Sequence, residues 1–374
     1  MKEEHPNNPP FRRVAAKCAL FLALVVAIGT VLQTILRHKW SPYVENVSTR
    51  YQALMEEPAG TIDVLYLGSS PLYAAVNPAV IWNESGVTGY NLGLSNQNAM
   101  TVYYELQYLL KHHTPQVVCI DANSIVSDRT PENEEYETTY RKVVDAIPDL
   151  GVKAAFIRDI CRTYDDQHAY DYWLPLFRYH DRWSELSRSD FSLQTEDIYY
   201  QYFSKGCLLE TGVEAQVWPS VYPLQDDTID PADGAVEQEY YNRIVRLCRE
   251  NGIQVAVILP PHLGLTQAKY DAVAAFSAEN DLPLLAYPTE ESWLADGFDL
   301  DTDLYEWNHL NIYGQAKFSA IVADCLQEWF GLEDHRGDPA YAAWDEAYAE
   351  YLDFFAQAEA ALAEGPAEEE LPAA

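Results

Sequence analysis

Apolar positions along this chain fall into three patterns. Short continuous runs occur at Ile62–Leu67, Val117–Asp121, Gln254–Leu259 and Leu282–Ala286. Segments with helical periodicity, Val102–Lys111, Val236–Asn251, Thr266–Asn280 and Ile312–Phe330, alternate with them, and Gly252 stops the second. Strands that are apolar throughout, separated by amphipathic helices, are the pattern of a parallel sheet buried on both faces. The expected architecture is therefore α/β, a three-layer α/β/α domain with a mostly parallel central sheet. Pro42–Leu54 reads as a short connecting helix. Residues 127–235, rich in Tyr, Trp, Asp and Pro, interrupt the alternation and predict a helical insertion that shapes a substrate cleft. Pro339–Ala363 is a helix pattern rich in Ala, Tyr and Glu, and the acidic Gly365–Ala374 is expected to be disordered. These patterns divide the chain at about residues 40 and 335.

The third pattern is a single long run. Cys18 to Leu36 carries no formal charge and, at about 1.5 Å per residue, crosses nearly all of a roughly 30 Å hydrocarbon layer. Arg12, Arg13 and Lys17 precede it and Arg37 and Lys39 follow, so the charge bias that sets orientation is slight. The bulky, basic Leu36-Arg37-His38-Lys39-Trp40 does not suit a signal-peptide cleavage site. The expectation is an uncleaved anchor with residues 1–40 as cytoplasmic stub and transmembrane helix, and the body outside the cytoplasm at the cell membrane.

Charge narrows the classes of partner. The formal net charge of −34 argues against nucleic acid and against a polybasic membrane patch. Part of it is local, since residues 333–374 hold 12 acidic side chains against Arg336 alone. Six cysteines without a CxxC support neither a zinc site nor a redox motif, leaving Cys161 and Cys207 as the one plausible pair. GxGxxG, GxxxxGK and HExxH are absent, and the Asp299, Asp301, Asp303 series lacks the glycine and twelfth-position acid of a calcium loop. No metal and no cofactor is expected.

Candidate chemistry begins at Gly68-Ser69-Ser70, directly after the first predicted strand, on the edge where parallel sheets bind ligands. Taken alone the stretch is more often a turn with an N-capping serine. A serine nucleophile needs a base and the base an orienting group. His309, in "DLYEWNHLNIYG", has Glu306 three residues before it, which puts both side chains on one side of a turn. A carboxylate on Nδ1 would leave Nε2 free to face a hydroxyl. Asn123, in "CIDANS", could donate to an oxyanion or serve a turn. His262, after Pro260-Pro261, reads as a rim residue on the same edge.

"YLGSS", "GYNLGLSNQN" and "LYEWNHLNIYG" together resemble the blocks of the SGNH (GDSL-like) hydrolases, nearest to the membrane-anchored bacterial branch with DltD-like and alginate-acetylation-type proteins. The resemblance spans residues 63–325, loosely in the insertion. It implies the flavodoxin-like SGNH fold, a Ser70–His309–Glu306 triad with Glu306 where the family usually has Asp, and an oxyanion hole drawn from Ser70, Gly93 or Asn96, and Asn123. Asn96 stands roughly where the family has a glycine. Implied too are an esterase or O-acyltransferase activity (acetyl or D-alanyl) on a cell-envelope polysaccharide or teichoic-acid-like polymer, and a membrane O-acyltransferase partner. The other class of reading is a noncatalytic carbohydrate-binding or assembly protein that keeps the fold. In "LFRYHDRWSELSRSDF", His180, Arg182 and Trp183 read either as a substrate-binding cluster for sugar or anionic polymer, or as an Arg–Asp and aromatic lock holding the insertion.

Overall fold

In the computed structural model, the residues described are 9–37, 45–127, 129–191, 203–218 and 234–364. The chain forms two compact units, Met1–Lys39 with Asp166–Thr195, and Trp40–Asp165 with Glu196–Ala374.

The larger unit is built on a five-stranded sheet of β1 (Val64–Leu67), β2 (Gly89–Asn91), β3 (Val117–Ile120), β4 (Gln254–Leu259) and β5 (Leu284–Ala286), in the order 2-1-3-4-5. Every neighbouring pair is parallel. Val64, Tyr66, Val117, Cys119, Ala256 and Ile258 point from this sheet into one core, shared with Leu72, Ile81, Phe318 and Val322. Those partners come from α3 (Ser70–Ala75), α4 (Pro78–Ser85) and α13 (Ile312–Phe330). The alternate residues Leu65, Leu67, Val118, Ile120 and Val257 are buried as well, as the two-residue period of a strand requires when both faces are covered. There α5 (Ala99–Leu109) packs against α10 (Ala235–Glu250), and α10 against β4. The predicted α/β class with a parallel sheet is thus what forms.

Several elements differ from the periodicity. The helix expected over Pro42–Leu54 is α2 (Val47–Glu56), whose Asn46 side chain caps Thr49 N–H, while residues 42–44 lie outside the described residues. β2 falls on Gly89-Tyr90-Asn91, at the start of the "GYNLGLSNQN" block, where no apolar run marked a strand. Just before His309 the chain forms not a helical turn but an antiparallel hairpin, β6 (Leu304–Glu306) and β7 (His309–Leu310).

The insertion is divided. α6 (Glu134–Ala146) and α7 (Leu150–Thr163) belong to the larger unit, α8 (Ala169–Trp173) and α9 (Pro175–Tyr179) to the smaller. α11 (Gln267–Glu279) and α12 (Glu290–Ala295) complete the sheet's connections. The predicted C-terminal helix is α14 (Ala342–Glu364), which lays Ala347 and Tyr351 against Ala79, Val80 and Phe203. The tail from residue 365 is outside the described residues. Cys161 and Cys207 form no disulfide: Cys161 lies half-buried on α7, Cys207 in the core near Asn91.

The smaller unit holds α1 (Pro9–Leu36), of which Phe11–Leu36 is long and apolar enough to cross a membrane.

Candidate functional site

The 2-1-3-4-5 order places the sheet's switch point between β1 and β3, where open parallel sheets receive ligands beyond their C-terminal ends. Gly68-Ser69-Ser70 leaves β1 there and Asp121-Ala122-Asn123 leaves β3 beside it.

The two adjacent serines have opposite surroundings. Ser69 is 2% exposed. Its N–H and its hydroxyl both donate to Asp121 Oδ2, at 2.6 and 2.5 Å, and its Oγ accepts from Asn123 Nδ2 at 2.9 Å. Asn123 N–H closes the loop on Asp121 Oδ1 at 3.1 Å. Burial pushes the Asp121 carboxyl up, and the hydrogen bonds from Ser69 and Asn123 pull it back. The lock explains Gly68, since a Cβ there would lie 2.5 Å from the Asp121 carboxylate carbon. Ser70, at the first position of α3, is half-buried, and its hydroxyl makes no hydrogen bond among the described residues. Tyr73, three residues on and so on the same helical face, stacks on the His309 ring with centroids 6.1 Å apart. α3 and β7 are neighbours in the fold, and no hydrogen bond joins the Ser70 and His309 side chains.

His309 Nδ1 and Glu306 Oε1 are 2.6 Å apart. The spacing of three arises from direct cross-strand pairing of Glu306 with His309 around Trp307-Asn308, not from a helical turn. His309 Nε2 is buried without a partner among the described residues. Burial holds this imidazole below its ordinary value, and Glu306, then Glu45, oppose the shift. The rest of the motif is architectural. Asn311 accepts from Tyr313 and Gly314 N–H at the start of α13, and its amide donates to Thr302 O and Leu304 O. A Cβ on Gly314 would come within 2.4 Å of Asp303 O.

Of the oxyanion candidates, Asn123 spends one amide N–H on Ser69 and keeps its second. Asn96 sits at φ 54°, the left-handed region that Asn tolerates, and its backbone N–H has no partner among the described residues. Its side chain donates to Glu135 at 2.7 Å. The Gly93 N–H is committed to Asn91 Oδ1 at 3.0 Å, so Asn96 rather than Gly93 offers the open donor. His180, Arg182 and Trp183 lie in the smaller unit. Arg182 donates to Leu36 O at 2.6 Å and to Asp190 at 3.1 Å, Nδ1 of His180 lies 2.8 Å from Phe177 O, and Trp183 is 74% exposed. Arg182 thus pairs with Asp190 and reaches the end of α1, and the exposed Trp183 takes no part in that contact.

Three residues border the site without having been singled out, Arg129, Arg50 and Glu45. Arg129 is buried, donates to Gln97 O at 2.6 Å, and leaves Nε unpaired. Arg50 donates to Asn91 O and Gly93 O, both at 2.6 Å, and so clamps the second block. Glu45 accepts from Ser95 Oγ at 2.5 Å and pairs with Lys142, with Tyr73 hydroxyl also on Ser95. His262, read as a rim residue, is instead buried, with both ring nitrogens unpaired among the described residues, in a loop fixed by Leu263 N–H on Trp307 O at 2.8 Å. Burial, then Lys269, His309 and Arg129, hold its pKa well below the ordinary imidazole value. Among the described residues no cluster of His, Cys, Asp or Glu could hold a metal ion.

Comparison with protein-family models, with curated proteins and with solved structures finds no match to this chain.

Proposed function

We propose that the larger unit is a serine esterase or O-acyltransferase of SGNH type, anchored by α1, held outside the cytoplasm and acting on acyl esters of a cell-envelope polymer. The observation that carries the reading is His309: a carboxylate 2.6 Å from Nδ1, a buried Nε2 unpaired among the described residues, and its ring stacked on Tyr73 of the short helix that opens on Ser70. A neutral imidazole so oriented takes the Ser70 proton as Oγ attacks the ester carbonyl, and Glu306 stabilises the imidazolium. The Ser70 and Asn96 N–H groups and the second Asn123 amide N–H are the donors for the oxyanion. The acyl-serine is then released to water or to a sugar hydroxyl, a choice made by how the cleft excludes water. A membrane O-acyltransferase as neighbour would favour transfer.

The runner-up, a noncatalytic polymer-binding protein, takes its support from the missing Ser70–His309 hydrogen bond. Hydrolysis of p-nitrophenyl acetate by the full chain, with fluorophosphonate labelling read by mass, separates the two. The catalytic reading expects labelling at Ser70, and loss of both label and turnover in Ser70→Ala. Undiminished turnover in that variant refutes the nucleophile, and no turnover or label in the wild type favours the binding protein.

A further inference from the structure

The smaller unit carries a surface that no catalytic reading uses. Tyr170, Trp173, Leu174 and Phe177 follow the spacing i, i+3, i+4, i+7 across α8 and α9, and all four are exposed, with Phe177 at 59%. The edge-on contact between Tyr170 and Phe177, centroids 6.2 Å apart, puts both ends of the stripe on one side. Phe191, 65% exposed, and Trp183 add two more bare aromatic rings. Tyr172, Pro175 and Tyr179 are the residues turned inward. Isolated apolar side chains on a surface are ordinary, but a four-residue stripe with two more exposed rings close by in the chain, six within 22 residues, calls for a covering.

Its place along α1 identifies the covering. α9 packs on α1, as does the 3-10 turn Arg188–Phe191. The covered positions of α1 are Gly29, Gln33, Ile35 and Leu36, while its earlier turns, from Phe11 to Ile28, are bare. At about 1.5 Å per residue, the contact occupies roughly the last 10 Å of the apolar run. Arg182 fixes that level, since its guanidinium caps the Leu36 carbonyl at the helix end and is held by Asp190. A cation at a helix C-terminus satisfies an orphan carbonyl and suits the dipole. The exposed rings therefore stand beside the stretch of α1 that a spanning helix carries from the acyl chains out to the headgroups. Trp and Tyr favour that zone, and amphipathic segments sink about 5–10 Å into it.

We propose that residues 169–191 form an interfacial foot: the Tyr170–Phe177 stripe, Trp183 and Phe191 embed in the lipid headgroup–acyl boundary on the C-terminal side of α1. The occupant is the bilayer itself, continuous with the lipid around α1. The proposal rests on α1 crossing the membrane and not on any activity. The foot would fix the orientation of the smaller unit at the surface, where a lone helix could rotate freely.

The test uses the full chain in nanodiscs of phosphatidylcholine and phosphatidylglycerol, with Cys18→Ala, Cys161→Ala and Cys325→Ala removing the accessible thiols. Nitroxides are attached at Phe177→Cys, at Trp183→Cys and, as reference within the span, at Val25→Cys. Collision rates with lipid-soluble oxygen and a water-soluble nickel chelate are compared. The foot expects oxygen to exceed nickel severalfold at 177 and 183, as at 25. Nickel exceeding oxygen at 177 and 183 while 25 remains lipidic overturns the foot and leaves the span. Shielding from both reagents at 177 and 183 overturns it in favour of a protein partner. A water-like signal at 25 overturns the span and the foot together.

Discussion

The two walls of the candidate site are built on different principles. On the β1–β3 wall Ser69, Asp121 and Asn123 exchange four hydrogen bonds, and what is left over is the Asn123 carbonyl oxygen and one of its amide N–H groups. On the wall formed by the β4 loop and the β6–β7 hairpin, His309 Nε2 and both nitrogens of His262 are buried and unmet. A buried polar group without a partner costs about 1–3 kcal/mol, so a fold keeps one where something else will meet it. The first wall holds position. The second is left for a ligand or a proton to complete.

The sharpest way to break that contrast is to exchange neighbours in the chain. Ser70→Ala should lower kcat/KM for p-nitrophenyl acetate by about 10³-fold or more and leave the urea midpoint unchanged, because its hydroxyl has no partner to lose. Ser69→Ala should do the reverse, with a smaller loss of rate and about 1–3 kcal/mol of stability, as Asp121 loses a donor and Asn123 an acceptor. Equal behaviour of the two variants in both assays would erase the distinction between the walls.

Glu306 sharpens the second wall. Its carboxylate raises the His309 pKa against a larger opposing effect of burial. The neutral imidazole is the active base, so kcat/KM should fall as pH drops, with the acid limb below the ordinary imidazole value near 6.5. Glu306→Gln removes the larger of the two carboxylates opposing burial, so the limb should move to still lower pH while the plateau falls by roughly 10²–10⁴-fold. A plateau loss with an unmoved limb would give Glu306 a role in holding the hairpin rather than in charge.

How far these walls could be read beforehand depends on the range of the contacts. The sheet was legible because burial on both faces writes itself as unbroken apolar runs: Gln254–Leu259 and Ile312–Phe330 form with the predicted bounds. The pairing of Glu306 with His309 was legible as a spacing but not as a hairpin, since strands of three and two residues around Trp307-Asn308 show no alternation and no turn glycine. Arg50, Arg129 and Glu45 carried no local signal. Their partners are backbone carbonyls 32 to 43 positions away and, for Glu45, a lysine 97 positions away. Arg182 shows the same limit, because its bond to Leu36 O joins residues 146 apart. Ser69 was masked by its twin, as nothing in Gly-Ser-Ser says which hydroxyl the fold will consume.

The smallest expected effect concerns His262 and reads stability alone. Its imidazole is held well below the ordinary value, so between that value and the folded one the unfolded chain binds a proton that the folded chain refuses. Stability is therefore intact above pH about 6.5 and declines as pH falls below it. His262→Leu, close in volume, removes one such proton. The fall in melting temperature from pH about 7 to about 5.5 should become shallower in the variant. It should not vanish, because His113 and His309 are shifted in the same direction, by burial first in each case. A fall as steep as in the wild type would mean that His262 is protonated in the folded protein, met by a group that its wall keeps ready for it.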